Sequence, residues 1–309
     1  MVKRVFVVLA ALVGLFGPTA VQAAEWRVPG DFATIPEAIT AAAPGDTIFV
    51  GAGFHHGAIV DKAVEIRGEG GAVINDGPSP LSNTALKTGF FFPAGNLGNG
   101  ATITHLRFEG VQFPVFSRGA NDVTVSHNVM VAPWQGVTNW MGAGWDISNN
   151  EIIDLRASNG GGIGILVGNY TNSPNVHDNV VAHNKISGTL SCGADEQGGY
   201  NGTGIVLYSD FRWGRTGGAI TFNRVIKNKV SLVSDCALVD VVALELTDTS
   251  ENSSLKVIYE NAIGFNDFRG TTSQIVLSPQ ALDTVNSISR NLGENRGQGL
   301  PPNAFFGAE

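Results

Sequence analysis

Residues 123–131, VTVSHNVMV, alternate apolar and polar side chains as a β-strand does, then place Asn128 where a buried apolar residue is expected. The interruption returns down the chain. ITHLRFEG from Ile103, VSHNVMVA from Val125, ISNNEIID from Ile147, VAHNKISG from Val181, VIKNKVSL from Val225, IGFNDFRG from Ile263 and ISRNLGEN from Ile288 share one template. Its column reads Leu106, Asn128, Asn150, Asn184, Asn228, Asn266 and Asn291. Three residues earlier stand Ile103, Val125, Ile147, Val181, Val225, Ile263 and Ile288, all β-branched and suited to a buried strand. Two residues after the column come Phe108, Met130, Ile152, Ile186, Val230 and Phe268. A weaker amide column, five residues ahead of the first, holds Asn179, Asn223, Asn261 and Asn286.

Self-similarity at uneven intervals of 22 to 44 residues is the mark of a solenoid with loops inserted into regular coils. Further strand-like runs lie between successive asparagines: GIGILVGN from Gly162, GIVLYSD from Gly204, VALELTD from Val242 and SQIVLS from Ser273. Three short strands per coil are therefore predicted. Coils stacked about 4.8 Å apart bring the amides into one file, where they satisfy one another along a bend. The composition agrees: 40 glycines and only 15% charged residues suit many short strands and tight turns.

These repeats, with the opening DFATIPEAITAAAPGDTIFVGAGFHHGAIVDKAVEIRGEGGAVIND from Asp31, resemble the right-handed parallel β-helix proteins of the pectate-lyase-like superfamily. The resemblance implies an all-β fold of three short sheets in one domain over residues 24–309. Within TIPE, Thr34 and Glu37 form a capping-box pair for a short helix through Ala42; in the family such a helix covers the open end of the coil. The superfamily includes lyases, glycoside hydrolases, esterases, epimerases and noncatalytic proteins, so the fold leaves the activity open.

Residues 1–23 read as a secretory leader: Lys3 and Arg4, an apolar stretch from Val5 to Phe16, the pair Gly17 and Pro18, and small residues before a cleavage placed after Ala23. The stretch is shorter than the roughly 20 apolar residues of a membrane anchor. An exported chain, secreted or held in the periplasm or cell envelope, with no span after cleavage, is expected. Losing Lys3 and Arg4 takes the formal charge from −8 to about −10, which argues against a nucleic-acid partner. Cys192 and Cys236 each follow a column asparagine by eight residues, so stacked coils place them one above the other as a disulfide pair. Two thiols and no spaced histidine motif predict no metal site of the zinc type.

Candidate chemistry gathers around the strands GIVLYSD and VALELTD. With Ile205, Leu207, Leu244 and Leu246 inside, alternation turns Tyr208, Glu245 and Thr247 outward and sets Asp210 and Asp248 at the strand ends. The loop SDFRWGRTGG adds Arg212, Trp213 and Arg215, while Trp140 and Tyr170 follow the equivalent strands. Asp210, Arg212, Glu245 and Asp248 are the candidate catalytic residues; Trp140, Tyr170, Tyr208, Trp213 and Arg215 are the candidate substrate-binding residues. Aromatic faces stack on sugar rings, arginine pairs with a uronate, and a carboxyl group moves a proton. The expected partner is a polysaccharide, acidic or neutral, in a groove flanked by loops. Lyases of the resembled superfamily hold Ca2+ on acidic residues and use an arginine or lysine base; its hydrolases use clustered aspartates.

The residues ahead of the column, His105, His127, Asn149, His183, Lys227, Phe265 and Arg290, read as a solvated outer edge. FATIPEAI is similar to the start of pectin methylesterases, but QDT, DFIFG and GRPW are absent, which disfavours esterase activity. The NTD and DD motifs of polygalacturonases are absent too. A polysaccharide lyase or hydrolase and a noncatalytic envelope or surface module both stay open.

Overall fold

The computed structural model describes residues 22–80, 85–250, 255–278, 281, 285–293 and 296–297. The apolar stretch from Val5 to Phe16, read from the sequence as part of a leader, lies outside them. Among the described residues the strands form parallel sheets of ten, nine, seven and three strands, wound as a right-handed β-helix. One coil is typical: Thr124–Ser126 lies in the ten-stranded sheet, Val129–Val131 in the seven-stranded sheet and Gln135–Trp140 in the nine-stranded sheet.

The sequence columns become vertical rows. Ile66, Ile103, Val125, Ile147, Val181, Val225, Ile263 and Ile288 pair in register across the ten-stranded sheet. Phe108, Met130, Ile152, Ile186 and Val230 do so across the seven-stranded sheet, and Val115, Val137, Ile165, Ile205, Leu244 and Ile275 across the nine-stranded one. These rows meet in one core running the length of the coil. Each coil buries its apolar face on the next, so cohesion comes from neighbour contacts.

Asn128 sits at the bend between the ten- and seven-stranded sheets. Its Nδ2 donates to Asn150 Oδ1 at 3.0 Å and to the Ile103 carbonyl at 3.0 Å. The same pattern links Asn150 to Asn184, Asn184 to Asn228, Asn228 to Asn266 and Asn266 to Asn291. Leu106, which lacks an amide, begins the file with its backbone N–H on Asn128 Oδ1. The bend is possible because the preceding residue always turns left-handed: His105, His127, Asn149, His183, Lys227, Phe265 and Arg290 have φ between 56° and 60°. They are exposed corner residues, with His105 and His127 stacked at 5.0 Å between ring centroids. Burial, Arg67 and His127 together hold the His105 imidazole below its ordinary pKa.

The second amide column bonds likewise, from Asn179 through Asn223 and Asn261 to Asn286. It supports the three-stranded sheet of Val176–His177, Ile220–Thr221 and Ile258–Tyr259, a fourth side that the three-strand reading did not anticipate. The helix Ile35–Ala41 has both capping-box bonds between Thr34 and Glu37 and buries Ile35, Ala38 and Ile39 on the first coil. From the adjoining coil, Lys62 Nζ donates to the carbonyls of Ile39, Thr40 and Ala42, satisfying the helix's C-terminal acceptors. Cys192 and Cys236 form the expected disulfide, with Cα atoms 5.4 Å apart.

Candidate functional site

The nine-stranded sheet carries the candidate residues on Gln135–Trp140, Ile163–Asn169, Gly202–Ser209 and Val241–Asp248, and on the loops that leave these strands. Every residue of the first three strands is buried. The expected open face is corrected on this point: Trp140, Tyr208, Asp210 and Glu245 have no exposed surface. The cause is legible in the strands themselves. Phe116, Thr138, Leu166, Val206 and Glu245 form one outward row, and most of it is apolar. With Phe113, Ile163, Trp140, Tyr170 and Tyr208 this row makes a second hydrophobic cluster on the outer side of the sheet. A parallel sheet buried on both faces reads as a near-continuous apolar run, as GIGILV and GIVLY do.

At the C-terminal ends of these strands the aromatic and guanidinium groups close into a ring. Trp140 lies 5.4 Å from Tyr170 and 6.0 Å from Tyr208, centroid to centroid. Arg215 stands over Tyr170 at 5.7 Å and over Trp213 at 5.2 Å; Arg212 stands over Trp213 at 4.4 Å and over Tyr208 at 5.5 Å. Gly168 makes room for this packing, because a Cβ there would sit 2.4 Å from the Trp140 ring. Trp213 is 69% exposed and has φ 55°, a left-handed backbone that costs a bulky residue energy. The loop thus holds an indole in solvent between two cations.

Asp210 anchors that loop from beneath. Its Oδ1 accepts from the Arg212 backbone N–H at 2.9 Å, from Arg212 Nε at 3.0 Å and from Thr249 Oγ1 at 3.0 Å, while Arg212 Nη2 reaches Oδ2 at 3.3 Å. Thr249 also accepts from the Phe211 N–H at 2.8 Å. It is the functional neighbour that sequence reasoning missed; its place one coil beyond Asp210 was the available signal. Burial, with the Asp210 charge beside it, pushes the Tyr208 hydroxyl well above its ordinary pKa, so it stays protonated.

Glu245 and Asp248 stand apart from this ring. Glu245 Oε2 accepts from Thr203 Oγ1 at 2.9 Å, and Oε1 has no partner among the described residues. Burial pushes its carboxyl up to about 8, so it is neutral at pH 7. Asp248 pairs in register with Ser209, one position out of phase with the outward Tyr208 and Thr247. Its oxygens accept from Ser250 N–H at 3.0 Å and Ser278 Oγ at 2.8 Å, and burial raises its pKa as well. Asp210 and Asp248 therefore do not converge. Calcium needs six to eight oxygen ligands. An aspartate neutralised by arginine, a protonated glutamate and an aspartate on the other strand face do not fit it.

Two further groups escaped the sequence reading. Glu196, buried, accepts from Tyr200 Oη at 2.5 Å and from the N–H groups of Gly160, Gln197 and Gly198 at 3.2, 2.9 and 2.7 Å, fixing the loop that follows Cys192. Arg156 stands exposed on the strand Glu151–Ala157 of the seven-stranded sheet, beside Trp134 on the turn that enters the nine-stranded one. Among the described residues no helix is long and apolar enough to cross a membrane.

The sequence matches no known family profile and no curated protein. Solved structures that superimpose on it include an alginate lyase from Paenibacillus sp. str. FPU-7, at 13% identity and TM-score 0.37, covering 88% of this chain and 99% of that one. The catalytic domain of a GH87 alpha-1,3-glucanase in complex with tetrasaccharides aligns at 14% identity and TM-score 0.38, over 94% of this chain and 70% of the other. A pectin methylesterase in complex with a hexasaccharide aligns at 13% identity and TM-score 0.23, over 84% and 78%.

Proposed function

We propose that this is an exported β-helix protein that binds an acidic polysaccharide at the edge formed by Tyr170, Arg212, Trp213 and Arg215. The observation that carries the proposal is Trp213: an exposed indole in a left-handed backbone, with a guanidinium group 4.4 Å away on Arg212 and another 5.2 Å away on Arg215. Backbone strain at an exposed aromatic points to use rather than to packing. The ring offers a platform for a sugar's C–H face, and the Arg215 guanidinium beside it suits a uronate carboxylate, while Arg212, paired with Asp210, fixes the loop.

In a lyase or hydrolase form, Glu245, whose carboxyl is neutral at pH 7, is the candidate proton donor, and Asp210 and Asp248 would have to be brought to it from their present partners. The noncatalytic form, a binding module of the envelope or cell surface, is favoured by the burial of Glu245 and by the neutralisation of Asp210 on Arg212. One experiment separates the forms. The mature protein is incubated with pectate, alginate and glycosaminoglycans while absorbance at 235 nm and reducing ends are followed, and binding to each is measured by affinity electrophoresis. Retardation without either signal, lost in Trp213→Ala, supports the module. New absorbance or reducing ends support the enzyme, and neither retardation nor signal on any polymer overturns the proposal.

A further inference from the structure

We infer that a second saccharide site lies where the seven-stranded sheet turns into the nine-stranded one, in the cleft between Glu109, Gln112, Trp134, Arg156 and Ser158, and that it takes a sugar bearing a carboxylate. The inference extends the proposed polysaccharide binding to residues that reading does not use.

The cleft arises from unequal strand lengths. Arg107–Glu109, Val129–Val131 and Glu151–Ala157 lie side by side in the seven-stranded sheet, with Glu109 opposite Val131 and Val131 opposite Ile153. The first two strands end there, and their chains turn toward the nine-stranded sheet through residues 110–112 and 132–134. The third continues, so that the Arg156 N–H bonds the Pro133 carbonyl at 2.9 Å beside these turns. The recess left between them has a volume of about 540 Å³, within the range of small-ligand sites and roomy enough for one or two sugar rings.

Its walls are fixed before any ligand arrives. Trp134 packs edge-on against Phe113 at 6.3 Å, and its backbone N–H donates to the Gln112 carbonyl at 2.9 Å. Gly161, at φ 90°, lies so close that a Cβ would be 3.1 Å from Trp134 Cβ. Gln112 Oε1 accepts from the Lys87 N–H at 2.8 Å. Ser158 Oγ is bonded to Asp195, on the loop that Glu196 and the Cys192–Cys236 bridge hold in place.

The chemistry is asymmetric in a way that selects the ligand. Glu109 is neutralised by Arg107, as Asp210 is by Arg212 and Asp267 by Arg269. Arg156 is exposed and takes part in no ion pair among the described residues. An indole for the C–H face, a carboxylate and an amide for hydroxyl groups, and one planar cation left for a carboxylate describe a uronate. A neutral sugar leaves the cation unused, and a phosphodiester chain meets the protein's net negative charge.

The test uses the mature chain and calorimetric titration with trigalacturonate, with maltotriose as the neutral control. To isolate the cleft, the Arg212→Gln/Arg215→Gln variant is titrated first. Retained trigalacturonate binding, at least fivefold tighter than maltotriose and weakened at least tenfold by adding Arg156→Gln, is the expected result. Trp134→Phe, which keeps an apolar ring, should weaken binding by a smaller factor without lowering the thermal midpoint. Residual binding that Arg156→Gln leaves unchanged overturns the cleft while leaving the first site standing. Binding lost only in Arg212→Gln/Arg215→Gln also overturns the cleft, whereas binding unaffected by that pair and lost in Arg156→Gln overturns the first site alone. No binding of trigalacturonate by any form overturns both.

Discussion

Asn150 Nδ2 donates to Asn184 Oδ1 at 3.0 Å although 34 residues of chain separate them. Asn184 Oδ1 also accepts from the Asn150 backbone N–H at 3.0 Å, and Asn184 Nδ2 donates to the Ile147 carbonyl at 2.8 Å and to Asn228 Oδ1 at 3.0 Å. Replacing Asn184 by Leu strips partners from both neighbouring coils at a site where water cannot substitute. A loss of about 3 kcal/mol or more is expected from the orphaned groups. At Asn291, the half-buried last member, Asn→Leu should cost about 1 kcal/mol, since solvent reaches the groups it leaves. Urea denaturation of the two variants checks the order; equal midpoints would refute the shared file as a source of stability.

The file was legible because a solenoid turns sequence periodicity directly into vertical contact. The positions of Ile147, Asn150 and Ile152 recur at fixed offsets from coil to coil, so their neighbours could be named without coordinates, and Cys192 and Cys236 followed from the same arithmetic. The outer face of the nine-stranded sheet was misread for a physical reason. Alternation tells which way Tyr208 and Glu245 point, but it does not tell whether that side meets water. Leu166 and Val206, in register between Phe116 and Glu245, carried the missing information. Asp248 failed to join Asp210 because one residue of phase along a strand reverses the face. The Arg212–Trp213–Arg215 loop was found by composition alone, while Arg156 and Trp134, on turns from different coils, had no shared motif to betray them.

Glu245 makes stability depend on pH. Its folded pKa, about 8, lies above the ordinary 4.5, so the folded state holds a proton that the unfolded state releases. The stabilisation is present in full below about pH 4.5 and is lost as pH rises toward 8, a span worth on the order of a few kcal/mol. Glu245→Gln stays neutral throughout and should flatten the unfolding free energy between those pH values. It should also be the more stable form at pH 8. Denaturant titrations at about pH 5, 6.5 and 8 read this, and parallel curves for the two proteins would contradict it.

The Cys192–Cys236 bridge closes a loop with a sequence separation of 44, for which chain entropy predicts a stabilisation of about 4 kcal/mol. Its Cα atoms already stand at the spacing of stacked strands, so little rearrangement is expected on removal. Cys192→Ser/Cys236→Ser should therefore keep the far-ultraviolet spectrum of the parent while unfolding at lower denaturant. Reductant should shift the parent toward the variant and leave the variant unmoved. A variant as stable as the oxidised parent would show that the unfolded chain gains nothing from being released there.

Trp213 offers a test in which stability and binding part company. Its left-handed backbone costs an L-residue roughly 1 to 2 kcal/mol, and glycine carries no such cost. Glycine also frees the unfolded chain, which offsets about 0.4 to 1 kcal/mol of that gain. Trp213→Gly is therefore expected to match or slightly exceed the parent in thermal stability, because an indole 69% exposed contributes little buried area. Its binding to an acidic polysaccharide should fall by at least tenfold, since the ring between Arg212 and Arg215 is gone. A residue kept only for packing would give the opposite pair of results, a lower midpoint with binding intact. Thermal denaturation and affinity electrophoresis on one preparation distinguish them.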